Sequence, residues 1–572
     1  MSYLDKERRI KMKKFLPLAI LLISAAAIGY AVYYTDTKTD RGAVENGLRE
    51  TEPIVLTVIF LSMLALFALN FRNIKEHFKK ISRGTWIILL SIFILAVFLR
   101  AFAAPQTHRV YFDEDIYLDI GKEILVNGKA ALCNYGEPCR EYAFMKWPNG
   151  YPFLLAISYM FFGASEGVGF GLVTLLGSLS VVLIFLLSYV FSKNEKISLF
   201  AALLFSLIPI HIMWSATAAA EPVLVFFSLL AISFFSLAAK SDSLKMYALA
   251  IAALAYAMQT KTEGVLLLPV AALLVILFDK NLLKKLSSYR FCFLWIALFV
   301  LIAPFLTHIF YAFLYDQFGS SGDKFSLDHA AKNVPENLGF WVFGYPTIEH
   351  PVLFTIFALM GIGYLAKKER RLLLFLGVWF FSFFSLYSFF YAGSVRFGVD
   401  VRYILSNYVP FAIAAGFGVL SASQSLGRIA PLLKDKSFMV AAALIIISFL
   451  FYLPSISTPT EKIEEARQAR TYHKFVLDNM PSLKGCYVMS HVSSIYLMYG
   501  VNSLQTWNVN NKERMDTLLQ GCVIFDDGFW CNIEPYKTSV CRDTFEGKFN
   551  ITQLTAIKVD NHDYAFFRVS QK

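Results

Sequence analysis

Acidic and basic side chains of this chain collect where long apolar segments end. Asp113 and Glu114 directly follow one such segment, Glu221 opens another, and Lys261 and Glu263 lie in a very short connection between two more. Ionisable residues in or beside apolar spans are costly, which makes them functional candidates. Acids and bases gathered at one level are what a site needs to handle an anionic headgroup and an activated hydroxyl.

The most informative stretch runs from Arg109 to Gly128. Its apolar positions 116, 117, 120 and 124 fall three or four residues apart, which predicts an amphipathic helix over 114–126 lying on the membrane surface. Asp113 would sit at the helix N-terminus, where free N–H groups favour a carboxylate. A helix cap at Asp113 and a solvated acid at Glu114 are as compatible with this local pattern as catalytic roles, and Tyr117 follows them on the same helix.

Four other positions carry charge at apolar boundaries. Lys146 precedes an aromatic, Pro- and Gly-containing turn, a setting suited to binding a phosphate, although a lysine snorkelling to the interface is the simpler alternative. Glu221, Lys261 and the pair Arg402-Tyr403 have ion pairing between helix ends as their competing interpretation.

The elements that would position these residues are predominantly membrane-spanning. Residues AVILMFWYC make up 57% of the 572 residues and charged residues only 17%, and the mean hydropathy is +0.54. A soluble domain has no core large enough to bury this excess, so we predict a polytopic α-helical membrane protein. About thirteen transmembrane helices are expected, at 15–34, 53–71, 86–104, 168–191, 197–214, 221–239, 246–259, 264–278, 291–313, 351–366, 371–391, 404–424 and 437–455.

The charge distribution predicts the orientation. Lys and Arg concentrate in the N-terminal tail and in alternate short connections such as 72–85, so these should be cytoplasmic. The net charge of +11 is then a topology signal, and nucleic acid is not expected as a partner. With thirteen spans in the cell membrane, the N-terminus is cytoplasmic and the C-terminus extracytoplasmic.

The C-terminal tail differs from the rest of the chain. Five short β-type segments alternate with helical ones after 455, which predicts an extracytoplasmic α/β domain at 456–572. Cys133 and Cys139 could close a small loop, and the four tail cysteines allow three pairings. We divide the chain into an N-terminal two-helix extension (1–85), a membrane core (86–455) with an outer loop (105–167), and this domain.

The order of these motifs resembles one known superfamily. Asp-Glu-x-x-Tyr (113–117) after a span, Gly-Lys-Glu-Ile-Leu (121–125), Asn-Gly (127–128) and Lys-x-Pro (146–148) look like GT-C glycosyltransferases, as do the later segments 221–222, 261–269 and 402–410. The nearest branch is that of the protein O-mannosyltransferases and the lipid A aminoarabinose transferase, and the similarity covers roughly 86–455. It implies a GT-C-like membrane core and an enzyme that uses a polyprenyl-phosphate sugar.

The resemblance also implies roles for individual residues. Asp113 matches the catalytic base and Glu114 its partner, Lys146 and Lys261 match lysines that bind the donor phosphate, and Glu221 matches an acid of the cavity. Arg402 is expected to help bind the phosphate, and Tyr117, Tyr403 and Glu263 to line the cavity. Trp147 departs from the family pattern, which has proline at this position.

The expected reaction is transfer of a hexosyl or pentosyl group to an acceptor hydroxyl with inversion. The partners would be the lipid donor, membrane lipid, and an acceptor glycan, lipid or protein. No cofactor is required by the sequence, and a divalent metal bridging Asp113 and Glu221 is an open alternative. The rival functions are a secondary transporter and a non-catalytic assembly or receptor protein. An oligosaccharyltransferase is a nearer rival, but the tail has no Trp-Trp-Asp motif.

Overall fold

In a computed structural model, helices account for most of the chain. The structure describes residues 3–106, 113–134, 141–314, 323–344, 350–395, 400–429, 436–457, 461–532, 540–559 and 562–572. Within these ranges nine helices are long and apolar enough to cross a membrane, or ten if the bent pair Glu195–Ser206 and Pro209–Ser215 forms one span. The predicted fold class, a polytopic helical membrane protein with a small C-terminal sheet domain, is confirmed.

The helices are numbered in chain order. They are α1 (Tyr3–Lys38), α2 (Arg41–Phe78), α3 (Arg83–Phe98), α4 (Asp113–Asn127), α5 (Gly150–Phe162), α6 (Glu166–Ser192), α7 (Glu195–Ser206), α8 (Pro209–Ser215), α9 (Ala220–Ser241), α10 (Leu244–Met258), α11 (Leu267–Phe278), α12 (Leu282–Leu286), α13 (Tyr289–Leu314), α14 (Leu327–Phe343), α15 (Val352–Lys368), α16 (Arg370–Phe389), α17 (Tyr408–Ile429), α18 (Ser437–Ser457), α19 (Glu461–Leu483), α20 (Ser493–Met498), α21 (Lys512–Leu518), α22 (Phe529–Asn532) and α23 (Arg542–Lys548). A π-helical turn spans Leu99–Ala103, and 3₁₀ segments span Thr262–Leu266, Asp400–Asn407 and Thr506–Asn510.

The strands form two sheets. A two-stranded antiparallel ribbon pairs β1 (Leu132–Asn134) with β2 (Glu141–Ala143). The C-terminal sheet contains β3 (Tyr487–Ser490), β4 (Ser503–Gln505), β5 (Val523–Asp527), β6 (Asn550–Val559) and β7 (His562–Ser570) in the order β4-β3-β5-β7-β6.

The observed spans differ from the predicted ones in four places. Nine of the predicted spans correspond to helices that pass the length and composition test. The predicted span 197–214 is the pair α7 and α8, bent by 63°. The predicted spans 246–259, 264–278 and 351–366 are α10, α11 and α15, with 15, 12 and 17 residues. Because every residue of α10 from Met246 to Met258 except Ala248 is buried, neighbouring helices rather than lipid surround it, and it does not need the full length of a lipid-exposed span.

The helix after Asp113 is less exposed than its sequence suggests. The predicted surface helix is α4, but its acidic positions Asp115, Asp119 and Glu123 are buried together with its apolar side. One side of α4 packs against α5, where a Cβ at Gly121 would come within 2.8 Å of Leu155 Cβ. Helix α20 of the C-terminal domain packs against α4 as well. The polar face of the predicted amphipathic helix is therefore buried within the protein, while the position of the helix at the membrane interface stays a prediction.

The C-terminal sheet is mixed. β3 pairs in parallel with β4 and β5, while β7 pairs antiparallel with β5 and β6. Two disulfides, Cys486–Cys522 and Cys531–Cys541, select one of the three pairings that the sequence left open. Cys133 is disulfide-bonded, and its predicted partner at position 139 lies outside the described residues.

Polar contacts join this sheet domain to the membrane core. The Lys122 amine on α4 donates to the Leu497 carbonyl at 2.5 Å. The Glu166 carboxylate at the start of α6 lies 2.8 Å from both His473 Nε2 and the Tyr499 hydroxyl. The C-terminal domain is thus held against the helix that begins with Asp113, while the domain boundaries at 85 and 455 stay predictions.

Candidate active site

Four segments distant in the chain meet beside the first residue of α4. They are the turn 144–149, the N-terminus of α9, the connection 259–263 and the 3₁₀ segment Asp400–Asn407. Two hydrogen bonds hold the start of α5, which follows the turn 144–149, against the end of α10 and the connection after it: the Gly150 amide donates to the Gln259 carbonyl at 2.7 Å, and the Tyr256 hydroxyl donates to the Gly150 carbonyl at 2.8 Å. A Cβ at position 150 would lie 2.4 Å from the Gln259 oxygen, so only glycine permits this approach.

Arg402 connects three of the predicted acids. Its guanidinium lies 2.9 Å from the Asp113 carboxylate, 2.8 Å from Glu221 and 3.6 Å from Glu114. Arg402 is 3% exposed and also lies over the Trp214 ring, 5.6 Å from its centroid. A planar guanidinium with several donors suits such a fork of carboxylates. The contact fixes α4 to α9 and orients Asp113.

Lys261 forms a second ionic centre that shares Glu221 with the first. Its amine lies 2.8 Å from Glu221 and 2.7 Å from Glu263, and 4.8 Å from the centroid of the Tyr403 ring. Burial opposes the charged amine, but Glu221 and Glu263 together outweigh it and raise the pKa of Lys261. The Tyr387 hydroxyl donates to Glu263 at 2.5 Å, and its ring stacks on Tyr403. The two carboxylates therefore favour the charged form of the Lys261 amine and hold it at the edge of the site.

Lys146 is in a different electrostatic setting. It is half-buried, and its amine lies 4.9 Å from the centroid of the neighbouring Trp147 ring. Burial lowers the pKa of Lys146, the Asp113 carboxylate opposes this, and the Lys324 amine lowers it further. Because the Lys146 and Lys324 amines repel each other, an anion bound between them would be favoured.

Tyr117 belongs to the aromatic wall behind Lys146. Its ring makes edge contacts with Trp147 and Tyr151, with centroids 6.1 and 5.4 Å away. Burial, followed by the Asp113 and Glu221 carboxylates, raises the pKa of Tyr117 well above its usual value. The hydroxyl is therefore neutral, and Tyr117 contributes packing rather than charge.

These groups border one cavity of about 360 Å³. Six of the predicted site residues line it, namely Asp113, Lys146, Lys261, Glu263, Arg402 and Tyr403. Glu114 and Glu221 stand behind them as partners of Arg402, and Tyr117 packs behind Trp147. The structure therefore brings all nine predicted residues into one region, while their individual roles stay predictions.

Three further residues of the site were not predicted. Lys324 lines the cavity from a polar segment before α14, Tyr387 binds Glu263, and Trp214 lies against Arg402. Lys324 adjoins glycines, serines and an aspartate, which is typical of any exposed loop. Tyr387 lies inside an apolar span, where no sequence signal sets it apart from neighbouring aromatic residues.

A bridging metal does not fit between Asp113 and Glu221, because the Arg402 guanidinium lies between them. Among the described ranges, one other group of three potential ligands lies close together, formed by His491, Cys531 and Cys541. Since those two cysteines form a disulfide, their sulfurs are not thiolate ligands. Neither place offers a suitable donor set.

Comparison with known proteins agrees with this architecture. A family model described as dolichyl-phosphate-mannose-protein mannosyltransferase matches residues 146–311. The crystal structure of ArnT from Cupriavidus metallidurans bound to undecaprenyl phosphate superposes with a TM-score of 0.55 at 13% identity, covering 85% of this chain and 98% of that chain. Archaeal oligosaccharyltransferase AglB from Archaeoglobus fulgidus, in complex with an inhibitory peptide and a dolichol-phosphate, gives 0.49 at 12% identity over 86% of this chain and 75% of that chain. No sequence among curated proteins matches significantly.

The family-model match over 146–311 and the fold shared with ArnT confirm the predicted resemblance to GT-C glycosyltransferases, which are multi-pass membrane proteins. Within that superfamily, the mannosyltransferase family model covers the part of the chain that supplies Lys146, Glu221, Lys261 and Glu263 to the site.

Proposed function

We propose that the protein is a membrane glycosyltransferase that moves a sugar from a polyprenyl-phosphate donor to an acceptor hydroxyl. One observation carries the proposal: the Asp113 carboxylate and the cations Lys146, Lys261 and Arg402 line the same cavity. The family model is named for enzymes that use a dolichyl-phosphate sugar, and the ArnT structure holds undecaprenyl phosphate. Both support a lipid-linked donor.

The lining of the cavity suits a ligand with a charged and an apolar part. Four cations face it, namely Lys146, Lys261, Lys324 and Arg402, against the carboxylates of Asp113 and Glu263. The remaining wall is largely apolar and comes mainly from α13, α16 and the segments beside them, including Ile309, Phe313, Phe325, Leu386 and Phe390. The phosphate would bind among the cations and the first isoprene units against the apolar wall.

The transfer itself is a single displacement. The acceptor oxygen forms a bond to the anomeric carbon while the bond from that carbon to the phosphate oxygen breaks, and the leaving polyprenyl phosphate keeps the electron pair. Asp113 takes the acceptor proton, a contribution of about 10²–10⁴ in rate. The cations stabilise the charge that develops on the leaving phosphate, in a partly dry site where such contacts are strong. Attack opposite the leaving group inverts the anomeric configuration.

The membrane orientation is part of the proposal. The Lys and Arg distribution places the N-terminus in the cytoplasm and the C-terminal domain outside. The cavity adjoins α4, which contacts that domain, so the reaction would take place on the extracytoplasmic side of the cell membrane.

The test uses full-length protein in nanodiscs with undecaprenyl-phosphate mannose, and native membranes as the acceptor source. Release of undecaprenyl phosphate and its binding are both measured. Asp113→Asn should lower release at least about 100-fold and still bind undecaprenyl phosphate. The matched control is Asp328→Asn, an exposed first-turn acid of α14. Release by Asp113→Asn at the parental rate would exclude Asp113 as the base, and ion-coupled solute uptake without any release would favour a transporter.

A further inference from the structure

A buried hydrogen-bonded pair, Glu52 and His308, lies outside the cavity and holds the turn that carries Lys146. Glu52 on α2 and His308 on α13 are 3% and 0% exposed, and His308 Nδ1 lies 2.6 Å from the Glu52 carboxylate. The other ring nitrogen, Nε2, lies 2.8 Å from the Met145 carbonyl. Both ring nitrogens are therefore engaged, one by the Glu52 carboxylate and the other by the backbone of the turn.

The same carboxylate also reaches the other end of the turn. The Asn149 side-chain amide donates to the second oxygen of Glu52. Residues 145 and 149 flank the segment Lys146-Trp147-Pro148, so the turn is anchored on both sides of the lysine. The ring of Phe144 lies 4.6 Å from that of His308 and reinforces the first anchor.

Other contacts from α2 reach the outer loop 105–167, which contains this turn. The Ala130 amide donates to the Arg49 carbonyl at 3.0 Å, and the Arg49 guanidinium lies 4.8 Å from the centroid of the Tyr142 ring. Arg41 and Glu45 both bond the hydroxyl of Tyr311 on α13. The first half of α2 is therefore built into the support of the loop and is more than a membrane anchor.

Stability alone is a weak explanation for the pair. Glu52 and His308 lie within helices that are long and apolar enough to span a membrane, where ionisable groups are costly. An apolar pair of similar volume commonly gives equal or greater stability than a buried ion pair. What the pair provides, and apolar side chains do not, is directional hydrogen bonding to both ends of one turn.

We propose that Glu52 and His308 are positioning residues that fix Lys146 for the donor phosphate. The first half of α2 is thereby a functional part of the site. This inference rests on the proposed function, because it assigns to Lys146 the binding of a phosphate.

The kinetic test compares Glu52→Gln and His308→Gln with Glu50→Gln, an exposed acid on the same helix. Each of the first two should raise KM for undecaprenyl-phosphate mannose about tenfold, the effect of losing a hydrogen bond to a charged group, with kcat changed less than about threefold. Because Glu52 and His308 act as one unit, the KM of the double variant should not exceed that of the more impaired single variant. Unchanged KM in both single variants, or additive losses, would overturn the proposal.

A second readout does not depend on activity. Backbone amide exchange of a peptide covering 141–150 should accelerate in Glu52→Gln, while exchange in the C-terminal sheet stays at the parental rate. Asn149→Ala removes one anchor without separating the buried pair, and it serves if Glu52→Gln does not fold. If the parental protein binds undecaprenyl phosphate but releases none from the sugar donor, the proposed function fails. The positioning role is then still decided by amide exchange of the 141–150 peptide and by the affinity of the variants for undecaprenyl phosphate. Parental exchange in both variants would refute it.

Discussion

Removing the charge of Lys261 separates a catalytic role from simple ion pairing. Its amine contacts Glu221 at 2.8 Å and Glu263 at 2.7 Å in a fully buried setting. Breaking one partner out of a buried ion pair costs about 3–5 kcal/mol. In the variant Lys261→Met, Glu221 keeps its contact with Arg402 and Glu263 keeps the Tyr387 hydroxyl. We therefore expect a smaller loss of stability, about 2–3 kcal/mol.

The catalytic effect should be larger and independent of that loss. If Lys261 stabilises the leaving phosphate, its removal should lower kcat by about 10²–10³, the effect of deleting one preorganised electrostatic donor. The double variant Lys261→Met/Glu263→Gln removes one charge of each sign. We expect it to recover much of the thermal stability but none of the activity.

The assay is release of undecaprenyl phosphate from undecaprenyl-phosphate mannose, paired with thermal unfolding of the same nanodisc samples. Glu513→Gln, an exposed first-turn acid of α21, controls for the glutamate change. If the double variant is stable and turns over at the parental rate, Lys261 is only a structural ion-pair partner. That result would establish the simpler of the two interpretations that the sequence left open.

Two further predictions concern the pH response and the membrane orientation. Burial and the nearby Lys324 amine lower the pKa of Lys146, and only the protonated amine attracts a phosphate, so affinity for undecaprenyl phosphate should fall as pH rises through that lowered pKa. Lys324→Met removes the repulsion and should move this alkaline loss to higher pH; an unchanged profile in a binding titration would mean that the two amines are not coupled. For the orientation, a cysteine-free epitope tag after residue 572 should be accessible to antibody on intact cells, and a tag before residue 1 only after permeabilisation. The reverse pattern would invert the proposed topology.

The sequence located the site because its residues lie at boundaries. Asp113, Lys146 and Lys261 each stand where an apolar run gives way to polar residues, and membrane insertion puts such boundaries at a common depth. Residues from separate segments at one depth can converge once the helices pack, as these three do around one cavity. The resemblance to GT-C glycosyltransferases was therefore predictable, and the matches to the family model and to ArnT confirm that resemblance.

The sequence could not show what lies against each boundary residue. The local pattern was equally compatible with a solvated acid at Glu114, yet this carboxylate is buried and lies 3.6 Å from the Arg402 guanidinium. Likewise, Glu52 and His308 are 256 positions apart, Glu52 directly before the predicted span 53–71 and His308 inside the predicted span 291–313. Their pairing depends on how α2 and α13 pack. Span counting failed for a related reason, because the short helix α10 is surrounded by protein rather than lipid.

The arrangement around Arg402 explains why so many acids occur in a site proposed for an anionic donor. A buried guanidinium without carboxylates would bind any phosphate tightly and would hold the product as firmly as the substrate. With Asp113, Glu114 and Glu221 against it, the charge of Arg402 is already balanced, and its remaining attraction is directed by geometry. An interaction accelerates the reaction when it is weak in the ground state and strengthens as charge develops on the leaving oxygen. In the proposed reaction, the carboxylates would therefore serve turnover by keeping the cations from binding the polyprenyl phosphate product too strongly.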